Sequence, residues 1–254
     1  MSTSSEGAPL LPHPAQRPLA LCRKEEYYLF SAGQVFVFIA VISVLIWFLH
    51  YDTGLDWNNA DCAGKPCVFN YHPPMMVLGF LAFGYQGIMS WRMLPDGLSH
   101  QTKKFIHLSV QVSGFVLAVV GIVAVFKFHN QHQPPIANLY SLHSWLGLVA
   151  MILWGLQVVG AVVSFISGVV PVENRVSFVP IHKHMGVVLY LLALVVMLLG
   201  IQEKLGFYQG DKAYAKLTPI SQLGNIMGLS IVAIFSVCTT LMIPRMQQEA
   251  ATDS

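Results

Sequence analysis

The chain has 254 residues, of which 55% are hydrophobic and only 10% charged, with a formal net charge of +2 at pH 7. A soluble domain of ordinary composition carries roughly 25% charged residues, so this balance points to a bilayer. The near-neutral charge and the lack of a Lys/Arg tract exclude nucleic acid as a partner.

Residues 1–28 read as a polar, proline-rich, disordered leader on the cytosolic side. They are not a cleavable signal peptide, because the apolar run that follows exceeds the ~7–15 residues of a signal core. Six apolar stretches follow, near 29–50, 70–92, 105–128, 140–166, 181–203 and 221–243, each close to the ~20 residues that cross a ~30 Å hydrocarbon core. Turn signals such as Asp96-Gly97 and Gln133-Pro134-Pro135 separate them. Pro180 is expected to open the fifth helix. Residues 244–254 form a short cytosolic tail. The expected fold is therefore all-α: a polytopic membrane protein of one transmembrane domain, 29–243, with six spans and a four-helix core made of helices 2–5.

Lys/Arg placement orients the spans. Arg17, Arg23, Lys24, Arg92, Lys103, Lys104, Arg175 and Arg245 collect on one side, against Lys65, Lys127, Lys204, Lys212 and Lys216 on the other. Eight against five puts both termini in the cytosol. Of the four cysteines, Cys62 and Cys67 share a luminal loop that suits a disulfide, though spacing alone leaves two free thiols equally open. None of the four has zinc or iron–sulfur spacing.

Four histidines, His72, His107, His143 and His182, sit near the ends of four different apolar segments. Ionisable side chains in membrane helices are costly and mark pathways or sites. Helices 2 and 4 run from lumen to cytosol, so His72 and His143 share a luminal depth. Helices 3 and 5 run the other way, so His107 and His182 share a cytosolic depth. Depth thus permits two pairs and disfavours crossed ones. Two imidazoles per site suit the axial positions of a haem iron and favour electron transfer over oxygen chemistry. Zinc would need further ligands, and no Asp, Glu or Cys lies at a depth to supply them. Interhelical hydrogen bonding by the histidines is the alternative. His184 points roughly 200° away from His182 around the helix and cannot share its site. His13, His50, His100, His129 and His132 fall in the leader, at a helix end or in loops.

The motifs around these histidines are specific. Phe69-Asn70-Tyr71-His72-Pro73, Lys104-Phe105-Ile106-His107, Asn138 to Trp145 around His143, and Pro180-Ile181-His182 with Gly186 closely resemble the cytochrome b561 family of ascorbate-dependent transmembrane electron carriers. The resemblance spans about 30–243 and includes Asn225, Gly228 and Gln202-Glu203-Lys204. It implies two haem b groups, held by His72 with His143 and by His107 with His182, and a homodimer. It also implies electrons taken from cytosolic ascorbate and delivered to monodehydroascorbate or a ferric iron chelate. Lys104, Arg175 and Arg92 match the family's cytosolic basic positions and would meet the ascorbate anion. His100 replaces a further lysine. On the luminal side Tyr140 and His129 match residues near the acceptor. The loop between them is two residues longer than usual, so His132 competes with His129.

The leader segment Glu6 to Leu11 resembles an acidic dileucine signal for endosomal, lysosomal or vacuolar membranes, and Cys22 lies where palmitoylation is possible. Secretory vesicles also fit, and all of these addresses rank above the plasma membrane. Two competing classes stay open: a histidine-relay proton channel or transporter, against which no span carries a central Asp or Glu, and a haem-binding scaffold without turnover.

Overall fold

The computed structural model describes residues 23–58, 67–209 and 216–252, with side chains placed except at 208–209 and 244–252. Among these residues every regular element is helical. The leader with its Glu6 to Leu11 motif, Arg17, Cys22, Cys62, Lys65 and Lys212 lie outside the described residues.

Helix α1, Arg23–Ile46, continues through a π-helical turn, Trp47–Tyr51. Its first turn carries Glu25 and Glu26, which complement the positive end of the helix dipole. The sequence assigned 23–28 to the leader; these residues instead open α1. A 3₁₀ turn, Val68–Tyr71, leads into α2, His72–Met76. A π-helical stretch, Val77–Phe83, joins α2 to α3, Gly84–Met93. The remaining elements are α4, His100–Gln131, α5, Leu142–Ala161, with a π-helical end at Val162–Ile166, α6, Val172–Gln209, and α7, Pro219–Thr252. Most of the expected C-terminal tail therefore continues α7.

Five helices are long and apolar enough to cross a membrane: Arg23–Tyr51, His100–Gln131, Leu142–Ile166, Val172–Phe207 and Pro219–Ile243. The second expected span runs from His72 to Met93 without interruption but in three pieces, because its middle is π-helical. Packing is tight there. Gly79 meets α4 so closely that an added Cβ would sit 2.6 Å from the carbonyl oxygen of Gly114. Two backbones approach where neither residue has a side chain to hold them apart.

The helix starts are capped as their sequences suggest. Ser99 accepts from the Thr102 amide at 3.0 Å ahead of α4. Ser141 and Ser144 close a reciprocal capping box on α5. The Thr218 hydroxyl accepts from the Ser221 amide ahead of Pro219. The expectation for Pro180 is corrected: it lies inside α6, which already begins at Val172. An internal proline loses one amide donor, a loss that neighbouring groups in a packed membrane helix can absorb. The true start lies just after Pro171, where Glu173 provides the acidic first turn.

Helix α1 packs against α7, α7 against α6, α6 against α5, and α4 against the second segment. A buried pin fixes one end of this assembly: Arg92 of α3 bonds the Glu26 carboxylate of α1 and the Leu241 carbonyl of α7. Arg23 and Asp96 pair nearby at 3.3 Å, so the α1 N-terminus and the α3–α4 connection share one end of the bundle. Cys67 is disulfide-bonded, while Cys238 is free and buried.

Candidate functional site

The four histidines meet as two pairs. His72 at the start of α2 and His143 in the first turn of α5 have ring centroids 6.0 Å apart, with planes at 87°. His107 of α4 and His182 of α6 are also 6.0 Å apart, at 75°. The second pair lies at the end of the bundle that carries the α1 N-terminus, and the first lies at the opposite end.

Each ring is aimed by its neighbours. His72 Nδ1 donates to the Gly121 carbonyl at 3.1 Å, and His143 Nδ1 to the Val196 carbonyl at 2.9 Å. His107 Nδ1 donates to the Gly87 carbonyl at 2.9 Å. A carbonyl oxygen only accepts, so in each case Nδ1 carries the proton and Nε2 keeps its lone pair. This is the usual state of a metal-ligating imidazole, whose second nitrogen is held by a carbonyl. His182 is placed through its backbone, whose carbonyl accepts from Gln157 Nε2 at 2.6 Å, and its ring packs on Phe165 at 5.6 Å. Gly200 makes room for His143: a Cβ there would lie 2.7 Å from the ring's Cε1.

A metal bound by imidazole sits about 2 Å from nitrogen, and the ring centre lies roughly 1 Å further back, so two axial imidazoles have centroids about 6 Å apart. Both pairs show that separation. The donor set is two imidazoles per site, which suits a metal already held in a macrocycle. Each pair also opens on a cavity of suitable size. One of about 770 Å³ contains His72 and His143, and the other, about 800 Å³, contains His107 and His182. Cofactor pockets run to about 300–1,000 Å³ with mostly apolar walls. The residues present fit a haem at each end.

At the N-terminal end, Lys104, Arg175, Arg92 and His100 all line the cavity. Lys104 Nζ donates to the Phe165 carbonyl at 3.2 Å, and Arg175 Nε donates to the Val170 carbonyl at 3.0 Å. Both keep further donors. Arg92 differs, because its two amino groups are taken by Glu26 and Leu241. The His100 ring packs at a tilt on Trp91, with centroids 5.0 Å apart.

At the opposite end, His129 and Tyr140 line the cavity with rings 6.1 Å apart. His129 Nδ1 lies 3.1 Å from the side-chain oxygen of Asn138. His129, expected in a loop, lies in the last turn of α4 and lines the cavity, whereas His132 just beyond the helix bonds the Pro134 carbonyl at 2.8 Å. Partial burial, then the charge and hydrogen bond of Glu203, push the Tyr140 phenol up to about 12.

The sequence marked Glu203 and Lys204 only as part of the family resemblance, and it gave Asp52 and Ser90 no role. Glu203 bonds the Ser141 hydroxyl at 3.2 Å, and Lys204 pairs with Asp52 at 3.6 Å in the same cavity wall. Ser90 stands 2.9 Å from His107 Nδ1. A charged pair at the end of an apolar span was the usable signal for Glu203 and Lys204. A serine within a span carries no comparable mark.

Comparison with known proteins places the chain in a family. The sequence profile of eukaryotic cytochrome b561 matches residues 71–208, a stretch that contains all four histidines. The probable ascorbate-specific transmembrane electron transporter 2 of Oryza sativa subsp. japonica is 38% identical over 203 residues, covering 80% of this chain and 82% of its own length. The transmembrane ascorbate ferrireductase 2 of Arabidopsis thaliana is 33% identical over 206 residues, 81% of this chain and 86% of its own. A plasma membrane ascorbate-dependent reductase of Xenopus tropicalis is 34% identical over 207 residues, 81% and 70%. With its profile match and these relatives, the chain belongs to the eukaryotic cytochrome b561 family.

Proposed function

We propose that this protein is a transmembrane oxidoreductase that takes electrons from cytosolic ascorbate and passes them through two b-type haems to an acceptor across the membrane. The observation that carries the reading is the pair of facing imidazoles at each end, both with centroids 6.0 Å apart. The family supplies haem b as the cofactor type, and the names of the relatives supply ascorbate as donor. Haem held by two histidines would supply a one-electron couple suited to electron transfer and not to oxygen chemistry.

The chain's own residues would do the rest. His72 with His143, and His107 with His182, hold and orient the two groups. The span from His72 to Met93 crosses the membrane, which completes a six-span, two-ended core with both chain termini in the cytosol. Lys104 and Arg175 draw the ascorbate anion to the cytosolic cavity and orient it by charge-assisted hydrogen bonds. Arg92 adds positive charge to that wall from a fixed position. At the luminal mouth His129 and the protonated Tyr140 present polar edges to a ferric chelate or to monodehydroascorbate. The functional unit is a homodimer embedded in lipid, in an endosomal, lysosomal, vacuolar or secretory-vesicle membrane.

Visible spectra with haem quantitation on the wild type and on His72→Ala and His107→Ala test the scheme. Two low-spin b-type haems, with one lost in each variant, support it. A colourless wild-type protein would falsify it. Vesicles loaded with ascorbate and challenged from outside with ferric chelate or monodehydroascorbate then identify the acceptor.

A further inference from the structure

We propose that the Asp52–Lys204 ion pair sets the reduction potential of the centre held by His72 and His143. The inference rests on the reading of that histidine pair as a haem site.

Lys204 Nζ and Asp52 Oδ2 lie 3.6 Å apart, with side chains only 18% and 8% exposed. Asp52 Oδ1 accepts from the Thr53 amide at 2.8 Å, whereas Oδ2 is buried and accepts no hydrogen bond. Lys204 is thus the charged partner that faces Oδ2. The ammonium lies 4.3 Å from the centre of the Phe69 ring and 5.5 Å from that of Phe48. Phe69 in turn packs on the His72 ring, centroids 6.0 Å apart. One aromatic ring therefore separates the cation from an axial imidazole, and both charged residues line the cavity that His72 and His143 share.

Such a pair contributes little to folding. Burying two charges costs about as much as their attraction returns, and apolar replacements are often as stable. Its field is another matter. In a poorly polarisable wall a unit charge acts over several ångströms with little screening. Reduction adds one electron to the centre, so a nearby ammonium favours the reduced form and a nearby carboxylate opposes it. Local charge and burial are among the levers that tune haem potentials. Glu203, the other carboxylate in the wall, is tied to Ser141 and Tyr140. Lys204 is the one Lys or Arg among the described residues lining this cavity, against Arg92, Lys104, Arg175 and Lys183 at the other end. A single substitution at position 204 therefore removes all the fixed positive charge from this wall.

Potentiometric titration of the haem absorbance in a His107→Ala background, which retains one centre, tests the idea. Lys204→Gln is expected to lower the midpoint and Asp52→Asn to raise it. The double variant, which removes both charges of the pair, is expected to return toward the parent. Opposite shifts in the two single variants support the proposal; an unmoved midpoint, or shifts of the same sign, overturns it. A His107→Ala protein without haem overturns the underlying assignment of the histidine pairs, and this inference with it.

Discussion

The hydroxyl of Ser90 and the Nδ1 of His107 lie 2.9 Å apart, and the direction of that bond is fixed by a third group. Ser90 donates its single proton to the Gly87 carbonyl at 2.7 Å. It can therefore only accept from His107, whose Nδ1–H is shared between Ser90 and Gly87. The imidazole is locked in one tautomer, with its Nε2 lone pair free and its ring 6.0 Å from that of His182. Outer partners of this kind are worth about 10–100-fold in metal affinity. Ser90→Ala is expected to lower haem occupancy at the His107–His182 site by that order and to leave the other site filled. Haem titration of purified protein, followed at the Soret band, measures it.

Gly200 gives a steric counterpart at the other end. A methyl group there would press on His143 at 2.7 Å from Cε1, closer than real contacts allow, and at a tight 3.1 Å from Nδ1. Gly200→Ala is expected to turn the ring off its bond to Val196 and to empty the His72–His143 site, so that haem per chain falls by about half. Ala favours the helix over Gly by about 1 kcal/mol, so a general loss of folding is not expected. An unchanged haem content in Gly200→Ala counts against this account of how His143 is aimed.

Much of this arrangement was legible in the sequence because topology alternates. Successive spans reverse direction, so a histidine at the start of each of four consecutive segments must fall at alternating depths, and the pairing follows. Residues whose role depends on three-dimensional neighbours were not legible. Val77–Phe83 has no distinctive composition, and nothing in it marks its π-helical form or the close approach of Gly79 to Gly114. Pro180 carried a misleading signal, since the rule for helix starts assumes that an internal proline goes uncompensated. His129 and His132 are three residues apart and chemically identical. Only the reach of α4 to Gln131 decides which one faces the cavity.

Tyr140 offers a pH measurement. Burial and Glu203 raise its phenol from the ordinary value near 10 to about 12. A group raised in the folded state adds stability that is fully present below the unfolded pKa of about 10 and is lost as pH climbs through about 12. The side chain is half-exposed, so the contribution is small. Ultraviolet difference titration of the wild type against Tyr140→Phe should show the missing phenol ionising near 12. Ionisation of that phenol near 10 would separate Tyr140 from Glu203.

Arg92 and the pair Lys104–Arg175 line the same cavity, yet their substitutions should be distinguishable. Arg92 joins three helices through Glu26 and Leu241, with little of either charged side chain exposed. Arg92→Ala leaves the Glu26 carboxylate uncompensated at a cost of about 3 kcal/mol, read as a lower thermal unfolding temperature in detergent. Lys104 and Arg175 hold only one backbone carbonyl each and keep donors for a ligand. A charge-assisted hydrogen bond to an anion is worth about 1.5–3 kcal/mol. Lys104→Ala and Arg175→Ala should therefore each raise the KM for ascorbate by about 10–100-fold, with kcat nearly unchanged and thermal stability close to wild type. Because the attraction is between charges, added salt should raise the wild-type KM toward that of the variants. His132→Ala, which removes a ring directed at Pro134 at the other end of the bundle, should change none of these quantities. An equal KM defect in His132→Ala would mean that the Lys104 and Arg175 effects report general damage and not contact with the donor.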